Sequence, residues 1–257
     1  MADNYENFKK SVLSLCGINL GAYKENQMKR RIDSLIARNR VDGYNSFVDL
    51  IRNDRSKLDE FVGFITINVS EFWRNPEQWE ILQNKLLPDI IKDDGVKVWS
   101  AACSTGDEPY SLAMLLNSYL PTSKIKIHAT DIDKQVLAKA RSGIYSEKSI
   151  KGLPESFRRK YFVHLGDGAY EISEEIRKCV FFKEHDLLSS IYPMDFDLIV
   201  CRNVLIYFTD EAKDGIIRRF YRSLKTNGVL FLGSTEQILY PKELGFVPIS
   251  SFFYKKL

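Results

Sequence analysis

Two segments constrain the fold of this 257-residue chain more than anything else in it. Residues 96–109 read Val-Lys-Val-Trp-Ser-Ala-Ala-Cys-Ser-Thr-Gly-Asp-Glu-Pro: an apolar strand, a loop of small residues, then an acidic pair that opens a helix. Residues 126–133 read Lys-Ile-His-Ala-Thr-Asp-Ile-Asp, a second strand that ends in Asp131. This is the layout of a nucleotide-type cofactor site at the edge of a parallel sheet. Small residues let the backbone approach a ligand closely, and an acid closing the second strand can accept hydrogen bonds from two ribose hydroxyls. The loop lacks the three spaced glycines of a dinucleotide fingerprint. It has Gly106 alone, with Asp107 and Glu108 where a pyrophosphate would sit. Two carboxylates repel a diphosphate and suit a cation, so S-adenosylmethionine, with its sulfonium and ammonium, fits better than NAD.

Around these segments the pattern divides the chain. Residues 1–72 carry apolar positions at helical spacing in 5–15 (Tyr5, Phe8, Val12, Leu15), 28–36 (Met28, Ile32, Leu35, Ile36) and 58–67 (Leu58, Phe61, Val62, Ile65), punctuated by Gly17, Gly21 and Gly43. A small helical domain is expected there. Residues 73–92 read as a linking helix, with Pro76 in its first turn and Pro88 at its end or a break. From 93 to 257, strands predicted at 96–100, 125–130, 180–183, 196–201, 228–232 and 252–256 alternate with helices at 108–119, 133–142 and 210–225. Such alternation makes a parallel sheet covered on both faces. The last strand follows its predecessor after a short insert, which suits a terminal antiparallel strand. Residues 161–182, with Gly166-Asp167-Gly168 as a turn, predict a small β excursion.

Composition narrows the function. Apolar residues make up 44% and charged residues 28%, ordinary for a globular protein. No apolar run reaches the length of a membrane span, and the amino terminus has no basic and apolar leader pattern. Cys16, Cys103, Cys179 and Cys201 are scattered singly and there are only three histidines, so neither a metal site nor disulfides are expected. A cytoplasmic monomer is the reading. Net charge is +3, but residues 24–40 alone carry six basic residues and two acids, leaving the remainder slightly acidic. That basic helix is either a solvated amphipathic face or a field for an acidic partner, with Arg30, Arg31 and Arg38 on one flank. A balance this close to neutral argues against nucleic acid as the partner.

Five blocks then occur in order: Asn68-Val-Ser-Glu-Phe-Trp-Arg74, Trp99-Ser-Ala-Ala-Cys-Ser-Thr-Gly-Asp-Glu-Pro-Tyr-Ser111, Ala129-Thr-Asp-Ile-Asp133, Ala140-Arg-Ser-Gly-Ile-Tyr145 and Cys201-Arg-Asn-Val-Leu-Ile-Tyr-Phe208. Together they resemble the CheR family of chemotaxis receptor protein-glutamate O-methyltransferases, over nearly the whole chain. The resemblance implies an α/β fold: a Rossmann-like class I S-adenosylmethionine-dependent methyltransferase domain, a small all-helical N-terminal domain and a small β-hairpin subdomain. It implies methylation of glutamate side chains on the cytoplasmic domains of membrane chemoreceptors, with S-adenosylhomocysteine as the second product. By motif match, Asn68, Ser70 and Arg74 face the cofactor from the domain junction. Ala101 contacts the cofactor from the loop block, Glu108 holds the methionine moiety, Asp131 the ribose, and Asp186, Leu187, Arg202 and Asn203 the adenosine side. Ser70 stands where Thr is frequent, Trp73 where Phe or Tyr is usual, and Asp186 where Asn is common. The excursion at 161–182 is a few residues shorter than in members that dock on a receptor-tail pentapeptide, which argues against such a tether. The resemblance also favours docking of an acidic receptor bundle on Arg30, Arg31 and Arg38.

The chemistry needs little machinery. A glutamate, with a reference pKa of about 4.3, is already ionised at neutral pH, so no general base is required. Aligning the reactants can supply roughly 7–11 kcal/mol of barrier reduction. Arg74 is the candidate for orienting the acceptor carboxylate through its fork, against the alternative of a solvated arginine. Tyr207 is the second catalytic candidate, against a packed aromatic beside Phe208. Asp131 could instead cap the helix at 133–142, but Asp133 suits that position better. Cys103 is read as a small loop residue rather than a nucleophile, and His128, His164 and His185 as structural.

Overall fold

The computed structural model describes residues 4–189 and 191–257. The chain forms two compact units, residues 1–68 with 204–216, and residues 69–203 with 217–257.

The first unit is built on four helices, Tyr5–Cys16, Glu25–Asn39, Gly43–Asn53 and Arg55–Ile65. Asn4 caps the first by accepting the Asn7 N–H at 2.8 Å, and Gly17 ends it in the left-handed conformation. Asp54 caps the fourth on the Ser56 N–H at 2.9 Å. Phe8, Phe47 and Phe61 meet with ring centroids 5.8–6.3 Å apart, around which Val12, Ile32, Leu35, Ile51 and Ile65 are buried. The sequence reading has no helix at 43–53. Its apolar residues Phe47, Val48 and Ile51 nevertheless recur at helical spacing and are buried together on one face, so the omission is one of reading rather than of signal.

The second unit holds a seven-stranded sheet. Its strands are β1 Val96–Ala101, β2 Ile125–Asp131, β6 Val180–Glu184, β7 Phe196–Cys201, β8 Leu224–Leu232, β9 Phe246–Ser250 and β10 Phe253–Lys256; a separate small sheet holds β3 Ile144–Ser146, β4 Phe162–Gly166 and β5 Ala169–Ile172. The large sheet runs β6-β2-β1-β7-β8-β10-β9. β1, β2, β6, β7 and β8 are mutually parallel, and β10 is antiparallel to both neighbours. The expected terminal antiparallel strand is therefore present, but inserted between β8 and a β9 that the sequence reading does not contain. The chain leaves β1 toward β2 and β6, then returns to the other side of β1 for β7 and β8. The switch point between β1 and β7 opens a crevice at the strands' carboxyl ends, where ligands of such sheets sit.

The amino ends of the same strands are stitched shut. Asp197, buried in β7, accepts the Lys97 N–H at 2.9 Å and the Lys225 ammonium at 2.9 and 3.0 Å. β8 starts at Leu224, before the expected 228, because an irregularity between the Phe196 and Leu198 pairings takes up extra residues. Gly228 sits there, where a Cβ would lie 3.0 Å from the Phe196 carbonyl oxygen.

In the small sheet, β4 and β5 form the predicted hairpin. Gly166, Asp167 and Gly168 all have positive φ, as its tight turn demands. Its third strand, β3, lies outside the expected 161–182 span. Phe72, Tyr145 and Phe162 pack edge-on beneath it, with centroids 4.8–6.4 Å apart. The predicted helix over 73–92 starts at Pro76 and breaks into Pro76–Ile81, a π-helical turn Leu82–Leu86 and Leu87–Ile90. Pro88 has no N–H to continue the ladder, and the wider turn ahead of it absorbs the mismatch. Among the described residues, no helix is long and apolar enough to cross a membrane.

Candidate functional site

The crevice at the switch point is a narrow cleft, walled by Ser70 and Arg74 on one side, residues 102–104 and Glu108 behind β1, and Arg202 and Asn203 beyond β7. Each wall follows from local chain geometry. The loop after β1 turns through positive φ at Ala102 (64°), Ser104 (47°) and Gly106 (90°). For non-glycine residues this conformation costs energy and persists where the surroundings over-determine it. Here the surroundings are Asp131. One carboxylate oxygen accepts the Ser104 N–H at 2.8 Å and the other accepts the Asp133 N–H at 3.0 Å. The Cys103 N–H adds a bond to the Thr130 carbonyl at 2.9 Å. Asp133 caps the helix Lys134–Ser142, as its sequence position suggests, leaving Asp131 to the loop. Burial pushes the Asp131 carboxyl above the usual carboxylate range, opposed by the Asp133 and Ser104 N–H groups. Gly106 is compulsory: a Cβ would lie 2.9 Å from both the Ala140 Cβ and the Tyr145 hydroxyl.

The acidic pair divides its roles. Asp107 is buried under the loop, accepts the Thr105 hydroxyl at 2.5 Å and interacts with the Ser70 hydroxyl. Glu108 reaches the cleft with its side chain about 15% exposed. It accepts the Ser100 hydroxyl at 2.8 Å and lies 3.7 Å from an Arg202 nitrogen. Burial raises both carboxyls. For Glu108 the effect is opposed first by Arg202 and then by Ser100.

Arg202 is almost wholly buried, and burial lowers its pKa against the pull of Glu108. Its Nη2 donates to the Arg74 carbonyl, Asn75 Oδ1 and Gln78 Oε1, each at 2.9 Å. The Arg74 carbonyl also accepts the Trp79 indole N–H at 2.9 Å. Trp73 and Asn75 flank Arg74 at positive φ, and Trp73 is locked by stacking on Trp79 at 4.7 Å. The backbone of Arg74 is thus held from three directions while its guanidinium lines the cleft, with one long bond, 3.4 Å, to the Val69 carbonyl.

Several sequence-predicted residues lie elsewhere. Ala101 is fully buried within β1, paired with Thr130, and Ala102 takes the cleft wall in its place. Asp186 and Leu187 follow β6, whose Glu184 pairs with Asp131, so they share the carboxyl edge of the sheet without lining this cleft. The Asp186 side chain accepts the Leu188 N–H at 2.8 Å, and Leu187 is buried. Asn68 and Tyr207 belong to the first unit. The Asn68 amide donates to the Thr66 hydroxyl at 2.9 Å, and the Tyr207 carbonyl accepts the Lys24 N–H at 2.8 Å. In the basic helix, Arg31 donates to the Phe64 carbonyl and lies 4.6 Å from that ring, and Arg38 pairs with Glu60 at 2.7 Å. Of the three, Arg30 is the exposed one without an acidic partner. Burial holds the Cys103 and Cys201 thiols far above their ordinary values, which disfavours the thiolate at both.

Glu236 escaped the sequence reading. It is 1% exposed, and its Oε2 accepts the Asn203 N–H at 2.6 Å and the Gly233 N–H at 2.9 Å. Only the cluster Gly233-Ser-Thr-Glu236 directly after β8 hints at it. The cleft also fits a cationic, ribose-bearing ligand on its own terms. The Ser104 hydroxyl is buried in its wall with no hydrogen-bond partner, Glu108 supplies the negative charge, and Asp131 closes the neighbouring strand.

Known proteins resemble this chain over nearly its whole length. The family model described as CheR methyltransferase, SAM binding domain matches residues 68–252, and that described as CheR methyltransferase, all-alpha domain matches residues 3–66. A chemotaxis protein methyltransferase of Listeria innocua is 43% identical over 255 residues, covering 98% of this chain and 97% of that protein. One of Listeria monocytogenes is 44% identical over the same shares. One of Borreliella burgdorferi is 34% identical over 271 residues, covering 99% and 94%.

Proposed function

The chain belongs to the CheR methyltransferase family and uses S-adenosylmethionine, and from this premise we propose that it methylates glutamate side chains on the cytoplasmic domains of chemoreceptors. The reading rests above all on one cleft that is lined by opposite charges for two different ligands: Glu108 for a cationic donor and Arg74 for an anionic acceptor. When bound, the donor would supply a methyl group on a positively charged sulfur; an acceptor carboxylate would take that methyl as its bond to sulfur breaks and the neutral thioether leaves, with no base required. The side chains then have four tasks. Asp131 fixes the loop at 102–104 and offers its remaining lone pairs to ribose hydroxyls. Glu108 takes the donor's positive charge, and the unpartnered Ser104 hydroxyl is free for a polar group. Arg74 grips one oxygen of the acceptor, leaving the other to attack. Arg202 holds the backbone beneath Arg74, so the fork is aimed before the acceptor arrives.

An enzyme of this kind works in the cytoplasm, where receptor signalling domains lie. Arg30, exposed on the basic helix, is our choice for contact with an acidic receptor surface. The test is methylation of purified receptor membranes with tritiated donor. Label that is lost in mild base as a methyl ester, and that maps to glutamate-containing peptides, supports the proposal. Label entering RNA or DNA, or base-stable label on protein, overturns it.

A further inference from the structure

The carboxylate of Glu236 has no counterpart in the roles above, yet it is among the most buried charged groups in the chain. One of its oxygens receives two backbone N–H groups, from Asn203 after β7 and from Gly233 after β8. It therefore ties together the carboxyl ends of two adjacent parallel strands, beside the cleft. Asn203 sits at φ 61°, a conformation that needs outside support. Gly233 is shaped to the same end, since a Cβ there would lie 2.9 Å from the Asn203 nitrogen and crowd the Glu236 carboxylate. A serine or an amide could span such a gap. A carboxylate does so with charge-assisted hydrogen bonds, about twice as strong as neutral ones. It also places a negative charge within reach of Glu108 and Arg202.

We propose that Glu236 is a positioning residue of the cofactor site: by clamping the Asn203 and Gly233 N–H groups, it fixes how Arg202 and Asn203 are presented to the bound donor. The inference rests on the donor occupying this cleft. Glu236 touches no reacting group and acts through the backbone of its neighbours. Its charge has a second consequence. Glu108 is faced by Ser100, Arg202, Arg74 and Glu236, and of these Glu236 alone opposes its ionisation. Neutralising Glu236 makes Glu108 easier to ionise.

The experiment compares the native chain with Glu236→Gln and Glu236→Ala. S-adenosylhomocysteine binding is measured by calorimetry across pH, and initial rates on receptor membranes are measured against donor concentration. Glutamine keeps an acceptor oxygen for both N–H groups but loses the charge. We expect its Kd for S-adenosylhomocysteine and its KM for the donor to rise about tenfold, with kcat lowered less than about twofold. The acid limb of its binding curve moves to lower pH. Alanine leaves both N–H groups buried and unpaired, so its affinity falls further. A purely structural role predicts something else: a lower unfolding temperature and a smaller active fraction, with Kd, KM and the acid limb unmoved. That result in the folded glutamine variant overturns the proposal. If the native chain itself fails to bind S-adenosylhomocysteine, the cofactor reading falls instead, and calorimetry on that one protein distinguishes the two failures.

Discussion

Replacing Arg202 with lysine keeps a positive charge beside Glu108 but removes the geometry on which the Arg74 segment hangs. In the native chain one guanidinium nitrogen, with two hydrogens, serves three oxygens at 2.9 Å, from Arg74, Asn75 and Gln78. A second guanidinium nitrogen points at Glu108, 3.7 Å away. An ammonium is a single centre and cannot hold both directions. If one or two of the three contacts fail, at about 1.5–3 kcal/mol each for a charged donor, the loss is about 1.5–6 kcal/mol. Gln78 is buried and the Arg74 and Asn75 contacts are partly so, which limits how much water can restore. At about 2–4 °C per kcal/mol for domains of this size, the unfolding temperature should fall by about 3–24 °C. Because the Arg74 carbonyl keeps only the Trp79 indole as its anchor, donor turnover should fall further than the affinity for S-adenosylhomocysteine. Scanning calorimetry with and without S-adenosylhomocysteine, alongside the receptor assay, reads both effects. An unfolding temperature within about 2 °C of native, with turnover intact, would refute the view that Arg202 holds this wall of the cleft.

Other expectations follow from the same geometry. Arg74→Ala should lower receptor methylation by at least about a hundredfold, a loss on the scale of removing a positioned transition-state donor, while calorimetric affinity for S-adenosylhomocysteine changes only a few-fold. Unchanged turnover rejects its assigned role. Glu108 and Asp131 are both raised above the ordinary carboxylate range, and a cationic ligand binds the ionised form of Glu108. Donor affinity should therefore be full at neutral pH and fall on acidification, beginning above the ordinary carboxylate midpoint of about 4.3. A pH-independent Kd between neutral and acid solution contradicts this. Arg30→Glu should raise the KM for receptor membranes while leaving S-adenosylhomocysteine binding untouched; equal KM values dispose of the docking surface. The partner choice matters, because Arg38→Glu would also break the pair with Glu60 and confuse docking with folding.

The cofactor loop could be read from sequence because its signals are local. Small residues between an apolar strand and an acidic pair can serve few purposes, and Asp131 ends a strand of alternating burial. The strand–helix rhythm from residue 96 onward is likewise a short-range pattern, and the parallel sheet followed from it. What stayed hidden is long-range. β3 is three residues long and pairs with residues some twenty-five positions later, so its sequence shows no alternation to detect. β9 carries Pro248 and a mixed pattern of exposure. Arg202 and Glu236 look ordinary in line, and their importance comes from partners 124–128 and 33 residues away. Ala101 and Ala102 differ only in the φ of the second, a single rotation that decides which of them meets the cleft. Arg31 and Arg38 fall on the charged flank of their helix, but Phe64, from another helix, draws Arg31 inward and sits 5.0 Å from the guanidinium of the still exposed Arg38.

The strand β7 is six residues long, about 20 Å from end to end. Its first turnings of chain hold Asp197 with its lysines, and its last hand over to Arg202. Variation at these two extremes should be judged by different criteria. A replacement near Lys225 is weighed on thermal endurance alone, because the distance insulates the reaction from it. One near Cys201 is weighed on turnover. An engineer seeking a hardier version of this catalyst has a free hand at one tip of a single strand and almost none at the other.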